Sequence, residues 1–237
     1  MSTVDFTDDR GFNQVWADSP ATRIRAQRRC DYLVNQMDIN RNQAIMEIGC
    51  GIGTKAFWLA QKTGKKVLGT DLCVPFIEQA RKSYQAEGLR YEVLDFNRAE
   101  QFKGETFDYI VGDGILHHLY HHLDEAFHNI KKLLNINGKI AFLEPNIQNP
   151  YVYLIFSYPW LRHKARLEPE EMAFSKRFII QKLTTAGFKN IQVEYRDFLL
   201  PGIPTFMIKP SILLGAVLEK MPFFRNMAQS LFITAER

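Results

Sequence analysis

Cysteines are scarce in this sequence, and long apolar runs are missing. Only three cysteines occur in 237 residues, and no two of them form a CxxC pair. This scarcity argues against a disulfide framework and against a cysteine zinc site. No uninterrupted apolar run reaches the roughly 18 residues of a membrane span. The segment MSTVDFTDDRGF is acidic and lacks the apolar core of a signal peptide, so we expect a cytoplasmic protein.

The sequence also has no strong excess of charge of either sign. The 30 basic and 26 acidic residues leave a formal net charge of +4, whereas nucleic-acid-binding proteins usually concentrate basic charge on one face. The densest basic stretch places Arg23, Arg25, Arg28 and Arg29 on a predicted helix. We interpret this stretch as a solvated helix face, with polyanion binding as the less favoured alternative. No nucleic-acid partner is expected.

Short apolar runs alternate with helical patterns from residue 44 onward, without an internal repeat. Such alternation is typical of a parallel sheet with helices on both faces. A first helix is expected from Pro20 to residue 37, because Ser19-Pro20 is a plausible N-cap and N1 pair. The predicted strands cover 44–48, 66–70, 91–94, 107–111, 139–143, 191–195 and 231–233, and the predicted helices among them cover 54–63, 75–87, 122–135 and 174–186.

A glycine-rich turn follows the first predicted strand. The segment Glu47-Ile48-Gly49-Cys50-Gly51-Ile52-Gly53-Thr54 leads from that strand into a helix. Glycine is needed where the backbone turns tightly or closely approaches a ligand. Asp71 ends the next strand, where an acid can accept hydrogen bonds from ribose hydroxyls. A nicotinamide-binding turn would have glycine at position 54, and Thr54 therefore disfavours a nicotinamide cofactor.

These residues resemble the motifs of class I S-adenosylmethionine (SAM)-dependent methyltransferases, in the small-molecule branch similar to methyltransferase types 11 and 12. EIGCGIGT resembles the first-strand signature, FDYIVGDGILHHL the fourth-strand motif and LLNINGKIAFLEPN the fifth-strand motif. LTTAGFKNIQVEY resembles the approach to the sixth strand. The resemblance covers about residues 40–197. It implies an α/β fold with a Rossmann-like, seven-stranded, mostly parallel sheet, helices on both faces and an antiparallel last strand.

The resemblance also implies a cofactor and the residues that hold it. SAM would bind at the glycine turn and leave as S-adenosylhomocysteine. Glu47 would support the turn and, often through water, the methionine ammonium group. Asp71 would hold the ribose hydroxyls, and Asp95 with Phe96 would contact the adenine. The predicted cofactor-binding residues are Glu47, Gly49, Cys50, Gly51, Gly53, Asp71, Leu72, Asp95, Phe96 and Asp113.

Two histidines follow the fourth predicted strand, at the carboxyl edge of the sheet where ligands bind. His117 and His118 are predicted catalytic residues, because an imidazole takes up a proton near neutral pH. In phosphobase N-methyltransferases of this fold, a histidine follows the motif at the place of His117. The alternative is that both histidines cap the helix or pack beneath the loop. The 117/121 and 118/122 spacings suit metal ligands on a helix, but without an HExxH pattern we expect no metal.

We expect one methyltransferase domain over residues 1–237. Residues 1–40 would form a helical lid over the cofactor, as such segments commonly do in the family. Residues 41–145 would bind SAM, and residues 146–237 would form the acceptor side.

Two apolar insertions near residues 150–165 and 198–228 distinguish the acceptor side. A helix is expected over 210–221 in the second insertion, with Pro210 at its N1 position. The insertions form a local packing layer, an apolar acceptor pocket, or a contact with a membrane surface or a second copy.

The predicted function is SAM-dependent transfer of a methyl group to an oxygen or nitrogen of a small molecule with an apolar part. One alternative is a SAM-binding protein that serves as a non-catalytic partner or sensor, which the intact motifs disfavour. Another is a methyltransferase acting on RNA or protein, which the lack of an NPPY-like motif after the fourth strand disfavours. The acceptor remains open, as does the choice between monomer and homodimer.

Overall fold

A computed structural model of the protein describes residues 19–38, 43–96 and 104–237. Seven strands lie in that part of the chain: β1 (Ala44–Ile48), β2 (Lys66–Asp71), β3 (Leu89–Val93), β4 (Phe107–Asp113), β5 (Leu134–Pro145), β6 (Lys189–Arg196) and β7 (Ser230–Glu236). They form one sheet in the order β3-β2-β1-β4-β5-β7-β6. The strands β1 to β5 pair in parallel, and β7 pairs antiparallel with β5 and β6. The predicted Rossmann-like α/β fold is confirmed.

Helices cover both faces of this sheet. In the described residues they are α1 (Pro20–Val34), α2 (Thr54–Thr63), α3 (Val74–Ser83), α4 (Leu123–Leu133), α5 (Pro150–Ser157), α6 (Pro159–Lys164), α7 (Lys176–Thr185) and α8 (Thr205–Leu218). The helices α4 and α7 bury Phe127, Ile130 and Leu183 on one face. The helices α1, α2 and α3 bury their apolar residues on the other. This is the three-layer packing, helices–sheet–helices, that a parallel sheet with two apolar faces requires.

The first helix begins where the sequence predicts. The Ser19 hydroxyl accepts a hydrogen bond from the backbone N–H of Thr22 at 3.1 Å, and Pro20 occupies the first helical position. A side-chain cap of this kind satisfies one of the free N–H groups at a helix start. Residues 1–18 of the predicted lid lie outside the described residues, so the lid stays a prediction.

Two of the predicted helices have wrong boundaries. The eighth helix begins at Thr205, so Pro210 lies inside it rather than at N1. The helix starts early because Ile208 is buried against Ala21 and Leu199, and this packing outweighs the backbone hydrogen bond that Pro210 cannot donate. The predicted third helix also ends early, at Ser83 instead of residue 87.

The aromatic segment 150–161 is divided between two helices. Tyr158 has an extended backbone, with φ −103° and ψ 121°, between α5 and α6. A residue before proline disfavours the helical conformation, and Pro159 follows directly. No helix of the described residues has both the length and the apolar composition that crossing a bilayer requires.

Candidate active site

The glycine turn after β1 has the backbone shape that its sequence predicts. Gly49, Gly51 and Gly53 all have positive φ values, of 67°, 54° and 85°. Side chains other than glycine rarely adopt this conformation. A Cβ on Gly49 would lie 2.7 Å from Ile115, whereas a Cβ on Gly51 would meet no atom within 4 Å. The turn is therefore packed at Gly49 and open above Gly51, which leaves room for a ligand.

A buried carboxylate lies beneath this turn. Glu47 is almost completely buried, and its Oε2 atom has no hydrogen-bond partner among the described residues. Burial is the main cause that raises the pKa of Glu47 to about 7, and the neighbouring Lys55 opposes the shift. A buried polar atom without a partner is costly. Its presence beside an open turn fits a bound cationic or hydrogen-bond-donating group.

Asp71 connects the end of β2 to the glycine turn. Its carboxylate accepts hydrogen bonds from the Gly51 N–H at 2.8 Å and from the Cys73 N–H at 2.9 Å. These bonds fix the carboxylate at the rim of the turn, beside the exposed side chain of Leu72. Cys50 is a buried free thiol, and its N–H donates to the Thr70 carbonyl.

The predicted adenine contacts differ in accessibility. Asp95 is half-buried, so its side chain stays near the surface of the described structure. Phe96 is buried in the core, and its carbonyl accepts a hydrogen bond from the Asn129 amide at 3.1 Å. The open turn, the unpartnered Glu47 oxygen and the anchored Asp71 fit the methionine and ribose ends of SAM. The cofactor roles of the individual residues stay predictions.

Asp113 lies at the end of β4 and is held by two cations. Its Oδ1 bonds Arg29 Nη1 at 2.7 Å, and its Oδ2 bonds Lys55 Nζ at 2.6 Å. Burial alone would raise the pKa of Asp113, but Arg29 and Lys55 more than offset it and hold this pKa well below its usual range. Both oxygens of the carboxylate predicted to contact the cofactor are thus engaged by the protein itself.

The interpretation of the α1 arginine stretch as a solvated helix face is wrong for two of its members, Arg25 and Arg29. Arg25 Nε bonds Asp197 Oδ2 at 2.6 Å, and Arg29 Nε bonds the same oxygen at 3.1 Å. Arg29 also donates to the Ser230 hydroxyl. The carboxylates lie at the ends of β4 and β6, so these arginines hold α1 across the carboxyl edge of the sheet.

The two predicted catalytic histidines are each paired with a glutamate. The His117 Nδ1 lies 2.9 Å from Glu144 Oε2, and the His118 Nδ1 lies 2.9 Å from Glu171 Oε1. The two imidazole centroids are 4.2 Å apart. Glu144, at the end of β5, also accepts the N–H groups of Ile115 and Leu116. One carboxylate thereby fixes both the loop after β4 and the ring of His117.

The environments of the two histidines differ. The His117 Nε2 faces Glu171 Oε2 at 3.8 Å, and only 11% of its side chain is exposed, against 20% for His118. Burial lowers the pKa of His118, but its hydrogen bond to Glu171 and the nearby carboxylates outweigh burial and raise it. The same pair acts in reverse on Glu171, whose pKa is lowered by His118 against the effect of burial.

A metal ion is the other species that this cluster could hold. His117, His118 and Glu171 place one ligand atom each within 4.8 Å of one another. The spacings 117/121 and 118/122 suit ligands on an α-helix, but residues 116–122 adopt a kinked 3-10 helix, in which residues three apart, not four, lie on one face. His121 and His122 are exposed. The expectation of no metal stays a prediction.

The sequence did not identify four residues of this site: Glu144 as a cap, Glu171 as a histidine partner, and Arg29 and Lys55 as partners of Asp113. Glu144 carried a signal, since it ends a predicted strand at the ligand-binding edge. Glu171 lies in an irregular segment without a periodic pattern, and its approach to His118 depends on tertiary packing alone.

Solved SAM-dependent methyltransferases share this fold. One from Archaeoglobus fulgidus has a TM-score of 0.64 over 91% of this chain and 94% of its own, at 14% identity. Phosphoethanolamine N-methyltransferase 2 of Haemonchus contortus, in complex with SAM, has a TM-score of 0.59 over 89% of this chain and 52% of its own, at 18% identity. The chain thus has the fold of SAM-dependent methyltransferases.

Part of the sequence matches a known family. Residues 46–140 match the family described as a methyltransferase domain. The chain is also similar to methyltransferase GfsG of Streptomyces halstedii, at 27% identity over 146 residues that cover 59% of this chain and 51% of GfsG. It therefore spans about half the length of that relative. The predicted resemblance to SAM-dependent methyltransferases is confirmed by the sequence match over residues 46–140 and by the fold.

Proposed function

We propose that this chain transfers a methyl group from SAM to an oxygen or nitrogen atom of a small molecule with an apolar part. The observation that carries the proposal is the pair of histidine–glutamate contacts at the carboxyl edge of the sheet, where the glycine turn also lies. When bound, SAM supplies a methyl group on a positively charged sulfur, so the electrophile is already activated. The residues of this chain must orient the acceptor and accept its proton.

His118 is the proposed general base. Its Nδ1 is engaged by Glu171, which leaves Nε2 to take the proton. With SAM bound, the proton of the acceptor O–H or N–H group would move to Nε2 and the electron pair of that bond would form the bond to the methyl carbon, while the electron pair of the broken methyl–sulfur bond would remain on the sulfur of S-adenosylhomocysteine. The Glu171 carboxylate then stabilises the imidazolium ion, as a carboxylate does for histidine bases in general.

His117 is the proposed positioning residue. Its Nδ1 is held by Glu144 and its Nε2 faces Glu171, so both ring nitrogens are directed at carboxylates. The ring also lies edge-on to Phe156 of α5, with centroids 6.0 Å apart. The first apolar insertion thus contacts the histidine pair directly. This contact supports an acceptor that presents an apolar group beside its reactive atom.

The acceptor can be identified with methyl-labelled SAM and mixed metabolite extracts, followed by mass spectrometry of the labelled product. With that acceptor, His118→Gln should lower kcat by about 10²–10⁴-fold, the usual contribution of a general base. The affinity for SAM should remain unchanged. His121→Gln is the matched control, because His121 lies in the same segment and is exposed.

The pH dependence of kcat tests the role of His118 as a base, and a chelator distinguishes this role from a metal site. Because the pKa of His118 is raised, the unprotonated base should form only above that pKa, so kcat should rise with pH through it. Glu171→Gln removes a main cause of the shift and should move the profile to lower pH. EDTA should not change kcat, whereas loss of activity would assign the cluster to a metal. Full activity of His118→Gln, or SAM binding without transfer to any acceptor, would contradict the proposal.

A further inference from the structure

Exposed apolar side chains are concentrated on two segments of the described structure, residues 150–166 and 198–228. All but four of the large apolar side chains that remain exposed belong to them; the exceptions are Leu72, Val74, Val93 and Ile136. Phe223 is 90% exposed and Trp160 is 66% exposed. We call the exposed side chains of the two segments the apolar rim.

The two segments meet at one edge of the molecule. The helix α5 follows β5, α8 follows β6, and the second segment leads into antiparallel β7. The chain topology therefore places both at the carboxyl edge of the sheet. The Asn146 amide, four residues before the first segment, donates hydrogen bonds to the carbonyls of Asn226 and Ala228 in the second, each at 2.8 Å. The apolar rim thus borders the same edge as the proposed active site.

The charged side chains of the two segments that carry the rim are almost all positive. Lys164, Arg166, Lys209, Lys220 and Arg225 are exposed, and in the described part of the chain none of them pairs with a carboxylate. The one acid within the two segments is Glu219. It is nearly buried and bonds Arg196 Nη1 at 3.0 Å and the Asp197 N–H at 2.9 Å, so it cannot neutralise the exposed cations.

We propose that the apolar rim docks on the surface of an anionic lipid bilayer. Aromatic and aliphatic side chains would enter the interface between headgroups and acyl chains, while the lysines and arginines contact anionic headgroups. The helix α8 has 14 residues, fewer than the roughly 20 that a spanning helix needs. Its packing on Ala21 and Leu199 leaves Leu213, Leu214 and Val217 exposed in the described part of the chain, which suits a helix lying in the interface.

A second copy of the chain fits this surface less well than a lipid surface. A two-fold dimer contact presents the same patch to itself. The five cations of each copy would then share one interface, and neither rim segment supplies an exposed carboxylate to pair with them. Anionic headgroups provide the opposite charge, and the apolar side chains find an apolar solvent in the same layer.

Co-sedimentation of the full chain with vesicles tests the docking. Vesicles of phosphatidylcholine with about a third phosphatidylglycerol should bind the protein, and pure phosphatidylcholine should bind it at least tenfold more weakly, because each surface cation adds to the attraction of an anionic leaflet. The doubly substituted Trp160→Ser, Phe223→Ser chain should lose about tenfold or more in binding. Lys220→Glu with Arg225→Glu should abolish the preference for anionic lipid.

Ile136→Ser is the matched control, because Ile136 is 84% exposed at the start of β5, away from the rim. It should bind vesicles like the unchanged chain. Failure to bind anionic vesicles would overturn the inference, and so would binding that the rim substitutions leave intact. A dimer that Phe223→Ser dissociates, found together with no vesicle binding, would assign the rim to a second copy. None of these measurements uses methyl transfer, so they are independent of the proposed function.

Discussion

Binding of SAM is expected to release a proton from Glu47. This carboxyl is buried, one of its oxygens has no partner among the described residues, and burial raises its pKa from 4.5 to about 7. Family resemblance places the methionine ammonium group near this acid. A positive group near a buried carboxyl stabilises the charged form and lowers the pKa. Because the folded protein without ligand holds the proton up to about pH 7, binding below that pH must displace it.

The size of the effect follows from the two pKa values. At about pH 6.5 a group with a pKa of about 7 is roughly three-quarters protonated. If the bound cofactor restores a pKa of about 4.5, nearly all of this proton leaves, which gives about 0.7 proton per binding event. The same linkage makes binding about 15-fold weaker at about pH 5.5 than at about pH 7, or about 1.6 kcal/mol.

Titration calorimetry in buffers of different ionisation enthalpy measures this release directly. The slope of the observed enthalpy against the buffer enthalpy gives the number of protons exchanged. The Glu47→Gln substitution keeps the shape of the side chain, but the glutamine does not ionise. The part of the slope that comes from residue 47 should therefore vanish in this variant. Equal slopes for the two chains at about pH 6.5 would refute the reasoning, because Glu47 would then be either ionised before binding or remote from the cofactor charge.

Two further predictions concern residues that hold the edge of the site. Asp71→Ala should weaken SAM binding about 100-fold in calorimetry, because it removes charge-assisted hydrogen bonds worth about 1.5–3 kcal/mol each; an unchanged Kd in a folded chain would exclude the ribose role. Arg29→Met should lower the free energy of unfolding by about 2 kcal/mol, less than the usual cost of breaking a buried ion pair because Lys55 and Arg25 still hold the two carboxylates. Denaturant unfolding checks this value, with Arg177→Met at an exposed position of α7 as control, and equal stability of the Arg29 and Arg177 variants would show that the buried network contributes nothing.

The fold could be predicted because its signals are local. The strand β1 and the glycine turn occur in one short segment. Gly49, Gly51 and Gly53 have positive φ values, which glycine adopts more readily than other residues. The alternation of strands and helices then implies a parallel sheet and the edge at which ligands bind. His117 and His118 were predicted at that edge because they directly follow a strand.

The rest of the site depends on contacts between distant parts of the chain. Arg25 and Asp197 are 172 residues apart, and Arg29 and Asp113 are 84 residues apart. A basic stretch on a helix has the same composition whether it faces water or a buried carboxylate, so its pattern could not distinguish the two. The start of α8 was missed for a similar reason, since the burial of Ile208 on α1 overrides the local signal of Pro210.

The two ion pairs of Asp113 connect the glycine turn to the part of the molecule that carries the apolar rim. A carboxylate with a guanidinium on one oxygen and an ammonium on the other presents little free charge to a ligand, so its geometry favours anchoring over cofactor contact. Through it, Lys55 of α2, next to the glycine turn, is linked to Arg29 of α1. The helix α1 in turn packs against α8 through Ala21. Because these paired side chains are at most 18% exposed and breaking a largely buried ion pair is costly, this network holds the glycine turn and the apolar rim in a fixed relation.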